Sequence, residues 1–170
     1  MTDTSLMKAT GAGRFKQAMR SLAGSVNVVA LQDPDGNLLG VTATAVCSLS
    51  AEPPSVIVCI NQSSSLARGL QVGRLFSVSV LSEHQKEISE AFGGRKGVAG
   101  RNRFIYGEWH RSEDNVPILH GARACLECRV DDFIDYGTHR AAVGAVTDVH
   151  LEEMDDASLI FVNGQYFSVG

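Results

Sequence analysis

The chain has 170 residues, 44% of them hydrophobic, which is the size and apolarity of one ordinary domain with a sizeable core. Its formal charge of -4 is mild and its 15 lysines and arginines form no block, which argues against nucleic acid or an anionic membrane and for a small-molecule partner. No apolar run approaches the roughly 20 residues that cross a bilayer, and MTDTSLMKATGAGRF lacks the apolar centre of a secretory signal. A cytoplasmic protein is expected, with Cys47, Cys59, Cys125 and Cys128 reduced.

Residues 1–13 are polar and glycine-rich and predict a loose arm ahead of a single domain over 14–170. RFKQAMRSLAG sets Phe15, Met19 and Leu22 at helical spacing and predicts a short amphipathic helix stopped by Gly24. Val26 to Leu31 is β-rich and DPDGN after it is turn chemistry, so the pair reads as a hairpin, an antiparallel start at odds with a doubly wound parallel sheet. SVIVCIN (Ser55 to Asn61) follows Pro53-Pro54 and is apolar almost throughout, which predicts a central strand covered on both faces. SSLARGLQVG offers Ser64 or Ser65 as an N-cap, with Leu66 and Leu70 on one face and Gly73 as the stop.

LFSVSVLS alternates as a strand does, and Ser82 with Gln85 forms a capping box that opens a helix carrying Ile88 and Phe92 on one face, ended by Gly93. Beyond a glycine-rich loop, ARACLECRVDDFIDYG and HRAAVGAVTDVHL are two long β-rich segments joined around Tyr136-Gly137. ASLIFVNGQYFSV then turns at Asn163-Gly164. About six or seven strands with two or three short helices predict a mainly β protein, a closed antiparallel barrel with peripheral helices.

Several motifs resemble chemistry they do not carry. The glycines of GGRKGVAG are wrongly spaced for a dinucleotide fingerprint and follow a helix; a mobile loop lined by Arg95, Lys96, Arg101 and Arg103 is the plain reading, still able to touch a phosphate. Cys125 and Cys128 form a lone C-x-x-C whose odd offset in a strand points the sulfurs to opposite faces. The five histidines make no metal-ligand pattern, so no metal is expected. No serine stands in a nucleophile elbow.

GVTATAVCSLSAEPPSVIVCINQSSS is different, because it gathers hydroxyls and amides without a cationic cluster. A flavin wants such a surface: Thr42, Thr44 and Ser48 facing the polar edge of its ring, and NQSSS meeting a phosphate at a helix start. Strand threonines and capping serines account for the same pattern without any ligand.

At this segment the chain resembles the short-chain flavin reductases with a flavin-binding split barrel, which include the reductase components of two-component aromatic monooxygenases such as 4-hydroxyphenylacetate 3-monooxygenase. The resemblance runs from about Phe15 to Phe167 and rests on FKQAMRSLAGSVNVV, GVTATAVCSLSAEPPSVIVCIN, FSVSVLSEHQKEISEAFGG, Arg103-Phe104, PILHGARACLEC and DYGTHRAAVGAV in that order. It implies an antiparallel Greek-key split β-barrel, a homodimer, FMN or FAD near the dimer interface, and NADH or NADPH as hydride donor. It further implies that Thr42, Thr44, Ala45, Val46, Cys47 and Ser48 meet the flavin ring and ribityl chain, Asn61, Ser63, Ser64 and Ser65 the ribityl and phosphate, and Phe92 the flavin's tail. His139 matches the histidine of the family's Gly-Asp-His motif, near the nicotinamide; here Gly137-Thr138-His139 lacks the carboxylate.

Hydride passes between two cofactors without protein acid or base, in keeping with a sequence that has no acid/base constellation. The expected function is an NAD(P)H:flavin oxidoreductase supplying reduced flavin to a partner oxygenase. The alternatives are a reductase of corrins (cob(II)yrinic acid a,c-diamide) or of iron at the same site, a non-enzymatic carrier or sensor holding flavin or haem, and an interaction domain whose barrel is empty. Tyr136 and Tyr166 are expected to pack or line a rim.

Overall fold

A computed structural model describes residues 11–152 and 155–170; the predicted arm over 1–13 lies largely outside them. Helix α1 spans Ala12–Arg20, two residues into the expected arm, and ends short of Gly24. The strands are β1 (Gly24–Ser25), β2 (Asn27–Gln32), β3 (Leu38–Ala43), β4 (Val46–Ala51) and β5 (Pro54–Asn61). After them come helix α2 (Ser65–Gly69), β6 (Leu75–Val80), a 3-10 turn at Glu83–Gln85 continuing as α3 (Lys86–Phe92), and a 3-10 segment Gly100–Ile105. The chain closes with β7 (Trp109–Arg111), β8 (Pro117–Leu119), β9 (Ala124–Tyr136), β10 (His139–Leu151), β11 (Ser158–Val162) and β12 (Gln165–Val169).

Seven strands form one antiparallel sheet in the order β3-β2-β6-β9-β10-β5-β4. The ladder does not close as the strand count predicted: β3 and β4, consecutive in the chain, stand at its two edges, so the barrel is split. The three expected hairpins form, β2 with β3, β9 with β10 and β11 with β12. The last turns on Asn163 (φ 52) and Gly164 (φ 81), both left-handed, which matches the twist of the flanking strands. The capping box at Ser82 and Gln85 is complete, and Ser64, not Ser65, caps α2 by accepting from the Ala67 amide.

One prediction about a strand fails, because a strand's sequence does not reveal its neighbours. SVIVCIN lies next to an edge and is not central: β9 holds the middle, and Ile57 and Cys59 on the outer face of β5 are half exposed. LFSVSVLS forms strand β6 as its alternation predicts, with Ser77 and Ser79 both buried. Ser77 donates to the Pro117 carbonyl at 2.6 Å, and Ser79 pairs with the Cys125 sulfur. The β7-β8 ribbon covers that face.

Inside the barrel, Val29, Leu31, Val56, Val58, Phe76, Val78 and Cys128 form the main core. Outside it, Val28 and Ala30 of β2 pack against Leu81, Ile88 and Phe92 under α3. Gly144 of β10 sits where Phe76 presses closest: a Cβ there would lie 2.5 Å from the ring tip and 3.1 Å from the Cys128 Cβ. Gly144→Val is therefore expected to cost roughly 1–3 kcal/mol by overpacking. Thermal unfolding followed by circular dichroism checks it, and an unchanged midpoint would mean that Phe76 moves aside freely.

Cys125 and Cys128 point to opposite faces as expected, into separate cores, and all four cysteines are free. Burial pushes the Cys128 thiol up to about 12 and raises that of Cys125 as well, so both are inert packing groups.

Candidate active site

The register of β4 on β5 begins at Val46 opposite Val58, so Cys59, Ile60 and Asn61 outrun the edge strand. On that edge the Cys59 amide is taken up by the Ala45 carbonyl at 2.9 Å. A cleft opens here across the split in the barrel, between the end of β3 and the end of β5. Its cavity of about 260 Å³ is lined by Thr42, Thr44, Ala45, Asn61, Ser64 and His139, with Val41, Ala43, Cys59 and Ile60 between them. Six of the residues singled out in the sequence are thus brought to one place from three strands and two loops.

His139 opens β10 directly opposite Asn61 of β5. Its Nδ1 meets the Thr138 hydroxyl at 2.9 Å, and its carbonyl accepts from the Gln62 side chain at 3.0 Å, so ring and backbone are both held. Thr138, standing where the family motif has a carboxylate, supplies a neutral partner to the imidazole instead. Asn61 accepts the Ser63 amide on its side-chain oxygen at 2.9 Å, a tight turn that presents Ser63 and Ser65 to solvent. Because α2 has only five residues, its dipole adds little, and anion affinity here rests on hydroxyls and loop amides.

Other expected residues stand elsewhere. Thr42 lines the cleft, but its hydroxyl donates to the Ser89 carbonyl at 2.7 Å and is spent on anchoring α3. Val46 packs toward the barrel core, while Cys47 and Ser48 lie exposed on edge strand β4, outside the cavity. Phe92 is 1% exposed, in edge-to-face contact with Phe104 and tilted against Trp109; it is not among the residues that line the cleft, and it packs the outer core.

Sequence reasoning missed a second cavity of about 210 Å³ that shares Thr42 and Thr44 with the cleft and is walled by Ser89, Arg95, Phe161 and Tyr166. The Arg95 guanidinium lies over both rings, 5.2 Å from Phe161 and 5.4 Å from Tyr166. Tyr166 is a rim residue as expected, with its hydroxyl 2.9 Å from that of Ser89. Two further cations of the glycine-rich loop have partners: Lys96 pairs with Glu87 and Glu90, and Arg103 donates to the Gly40 carbonyl at 2.9 Å.

Arg140 also went unnoticed in the sequence. It donates to both Asp135 oxygens, holding that carboxyl below its usual range, and to the carbonyls of Ala67 and Leu70 at 3.0 Å. It also stacks 3.8 Å from the Phe133 ring centre. It thereby ties β10 to the end of α2 and positions the Asn61–Ser65 loop; its place beside His139 was the only available signal.

A neutral, donor-rich cleft at a barrel split matches the chemistry of a flavin, and the family model for the flavin reductase like domain matches residues 19–170. The chain belongs to the flavin reductase-like family. Among its family relatives, the FMN reductase (NADH) RutF of Pseudomonas syringae pv. syringae is 34% identical over 147 residues, 86% of this chain and 81% of that protein. The 4-hydroxyphenylacetate 3-monooxygenase reductase component of Pseudomonas aeruginosa is 33% identical over 147 residues, 86% of each chain. In three dimensions the flavin reductase PheA2 superposes with a TM-score of 0.83 at 26% identity, over 95% of this chain and 99% of that one. The styrene monooxygenase flavin reductase of Pseudomonas putida S12 gives 0.80 at 26% identity, over 92% and 97%. The split barrel expected from the resemblance is therefore the fold.

Proposed function

We propose that this flavin reductase-like protein is an NADH:flavin oxidoreductase that delivers reduced FMN or FAD to a partner monooxygenase. The observation that carries the reading is the cleft itself, where His139 stands opposite Asn61 beside Thr44 and Ser64 in a chain of this family. Two relatives support the assignment by name, one an NADH-dependent FMN reductase and the other a monooxygenase's reductase component.

A bound flavin would supply the acceptor for a hydride, two electrons with one proton, chemistry that belongs to the cofactors. The chain's own residues bind and align. Thr44 and Ala45 would line the ring's polar edge, and Asn61 with Ser63, Ser64 and Ser65 would hold the ribityl and phosphate. His139, fixed through Nδ1 by Thr138, orients the nicotinamide, and Arg140 keeps the Asn61 loop in register. Such alignment at near-contact distance, with water displaced, is where a protein without acid or base gains rate.

The active form is a homodimer in this reading. Leu49 on β4 is 52% exposed and Tyr136 at the β9-β10 turn 82%, apolar surface that a second copy covers beside the cleft. Among the described residues no helix is long and apolar enough to cross a membrane.

The test is anaerobic mixing of the chain with excess FMN or FAD and NADH, following nicotinamide oxidation and loss of the flavin's visible absorbance. Rapid bleaching over many turnovers is the expected result. Flavin binding without bleaching would make the chain a carrier, and neither binding nor bleaching would leave the barrel an interaction domain; both results overturn the proposal.

A further inference from the structure

The far end of the β9-β10 pair carries a cluster for which flavin reduction has no use. Glu127 of β9 and Asp148 of β10 are directly opposite in register, a placement in which like charges repel. A bulge between Val146 and Asp148 accompanies it. His150, two residues on and on the same face, brings its Nε2 to 2.7 Å from Glu127 Oε1 and 3.7 Å from Asp148 Oδ2. The Glu127 side chain is only 5% exposed, and among the described residues it forms no ion pair with a lysine or arginine. A carboxylate so removed from water needs a compensating positive charge, and its neighbours in the cluster are an imidazole and a second carboxylate.

The surroundings add to the deficit. A cavity of about 490 Å³ beside the cluster is lined by Glu113 and Asp114 as well, against a single cation, Arg111. Arg111 is engaged by the Gln32 side chain and the Asn115 carbonyl. Ser112 donates its hydroxyl to Glu127 Oε2 at 2.8 Å, which orients the carboxylate and leaves Oε1 facing the histidine and Asp148.

We propose that Glu127, Asp148 and His150 bind a divalent first-row transition ion, with Zn²⁺ as the probe. One nitrogen and two carboxylate oxygens lie within 4.8 Å of one another, and small rotamer shifts bring all three to the roughly 2.0–2.2 Å that such an ion requires. Solvent in the adjoining cavity completes the coordination. The imidazole selects against Ca²⁺ and Mg²⁺, which prefer oxygen alone. A neutral imidazole that ligates through Nε2 carries its one proton on Nδ1, which faces away from the ion. The site clamps two strands at the end opposite the flavin cleft: His150 lies eleven positions along β10 from His139, on the order of 30 Å away at about 3.3 Å per residue. Sequence spacing hides it because the ligands come from two strands.

Calorimetric titration of the flavin-free chain with Zn²⁺ tests the site, with Co²⁺ absorbance as a spectroscopic signature. Asp148→Asn is the first variant, because its side chain is 66% exposed and folding is not at stake; His150→Gln is the second. His120→Gln is the control, since His120 and Glu152 form another surface pair at 3.2 Å. About one equivalent is expected to bind, with each site variant weakening it at least about tenfold, the control less than about twofold, and millimolar Ca²⁺ not competing. The Co²⁺ band is expected to vanish in His150→Gln. No binding tighter than about 100 μM, or binding that survives both site variants or is lost in the control, overturns the site. NADH oxidation plays no part in any readout, so the flavin reading stands or falls separately.

Discussion

Phe92→Ala is expected to lower the unfolding free energy by about 3–5 kcal/mol, the cost of deleting a buried aromatic ring and leaving the cavity behind. The ring is nearly inaccessible and wedged among Phe104, Trp109 and the backbone of Gly40, where a Cβ would come within 2.5 Å of it. Phe92→Leu keeps most of the volume and is expected to cost less than half as much. Chemical denaturation measures both. Flavin affinity, read at a temperature where both variants remain folded, is expected to change less than about threefold, because Phe92 lies beneath the surface. A stable Phe92→Ala protein that has lost its flavin would return the residue to the ligand and refute the packing role.

The second large effect falls on turnover. His139→Ala is expected to reduce kcat/KM for NADH about 10²-fold while leaving the flavin dissociation constant within about threefold, since misplacing one reactant by an ångström costs that much. The strand start survives the change, because Gln62 holds the His139 carbonyl and not its ring. Stopped-flow reduction at saturating flavin separates the two constants. A rate equal to wild type would remove the histidine from the nicotinamide, and a lost flavin with a normal rate per bound flavin would assign it to the wrong cofactor.

What the sequence reveals follows the range of the interaction. Hairpins at Asp33–Asn37, Tyr136-Gly137 and Asn163-Gly164, the Ser64 cap and the Ser82-Gln85 box are written in adjacent residues, and all of them form. The order of strands is not local. SVIVCIN has the composition of a central strand because one face lines the barrel and the other stays apolar beside the sheet edge, and LFSVSVLS hides its serines under a ribbon some forty residues away.

The site divides the same way. Asn61 and His139 could be singled out one by one, but their apposition depends on the pairing of β5 with β10. Thr42 carries the hydroxyl that a ligand wants, and only the fold shows it spent on Ser89. Phe92, which family resemblance assigns to the flavin's tail, lies buried in the outer core. Arg95 and Arg140 were plain charges until their partners, two aromatic rings in one case and the end of a helix in the other, came into view.

Placing the cleft where the ladder is broken makes ligand and barrel parts of one mechanical object. At the overhang of β5 the wall lacks a partner strand, and a molecule seated there bridges the end of β3 to β5 in its place. Occupancy then stiffens the weakest seam of the cylinder, and the linkage runs both ways: a ligand at a hundred times its dissociation constant adds about 2.7 kcal/mol to the folded state. Amide exchange at Asn61, which faces the gap while the Cys59 amide is already held by Ala45, should slow most of all when the gap is filled, as if the missing stave had been set in place.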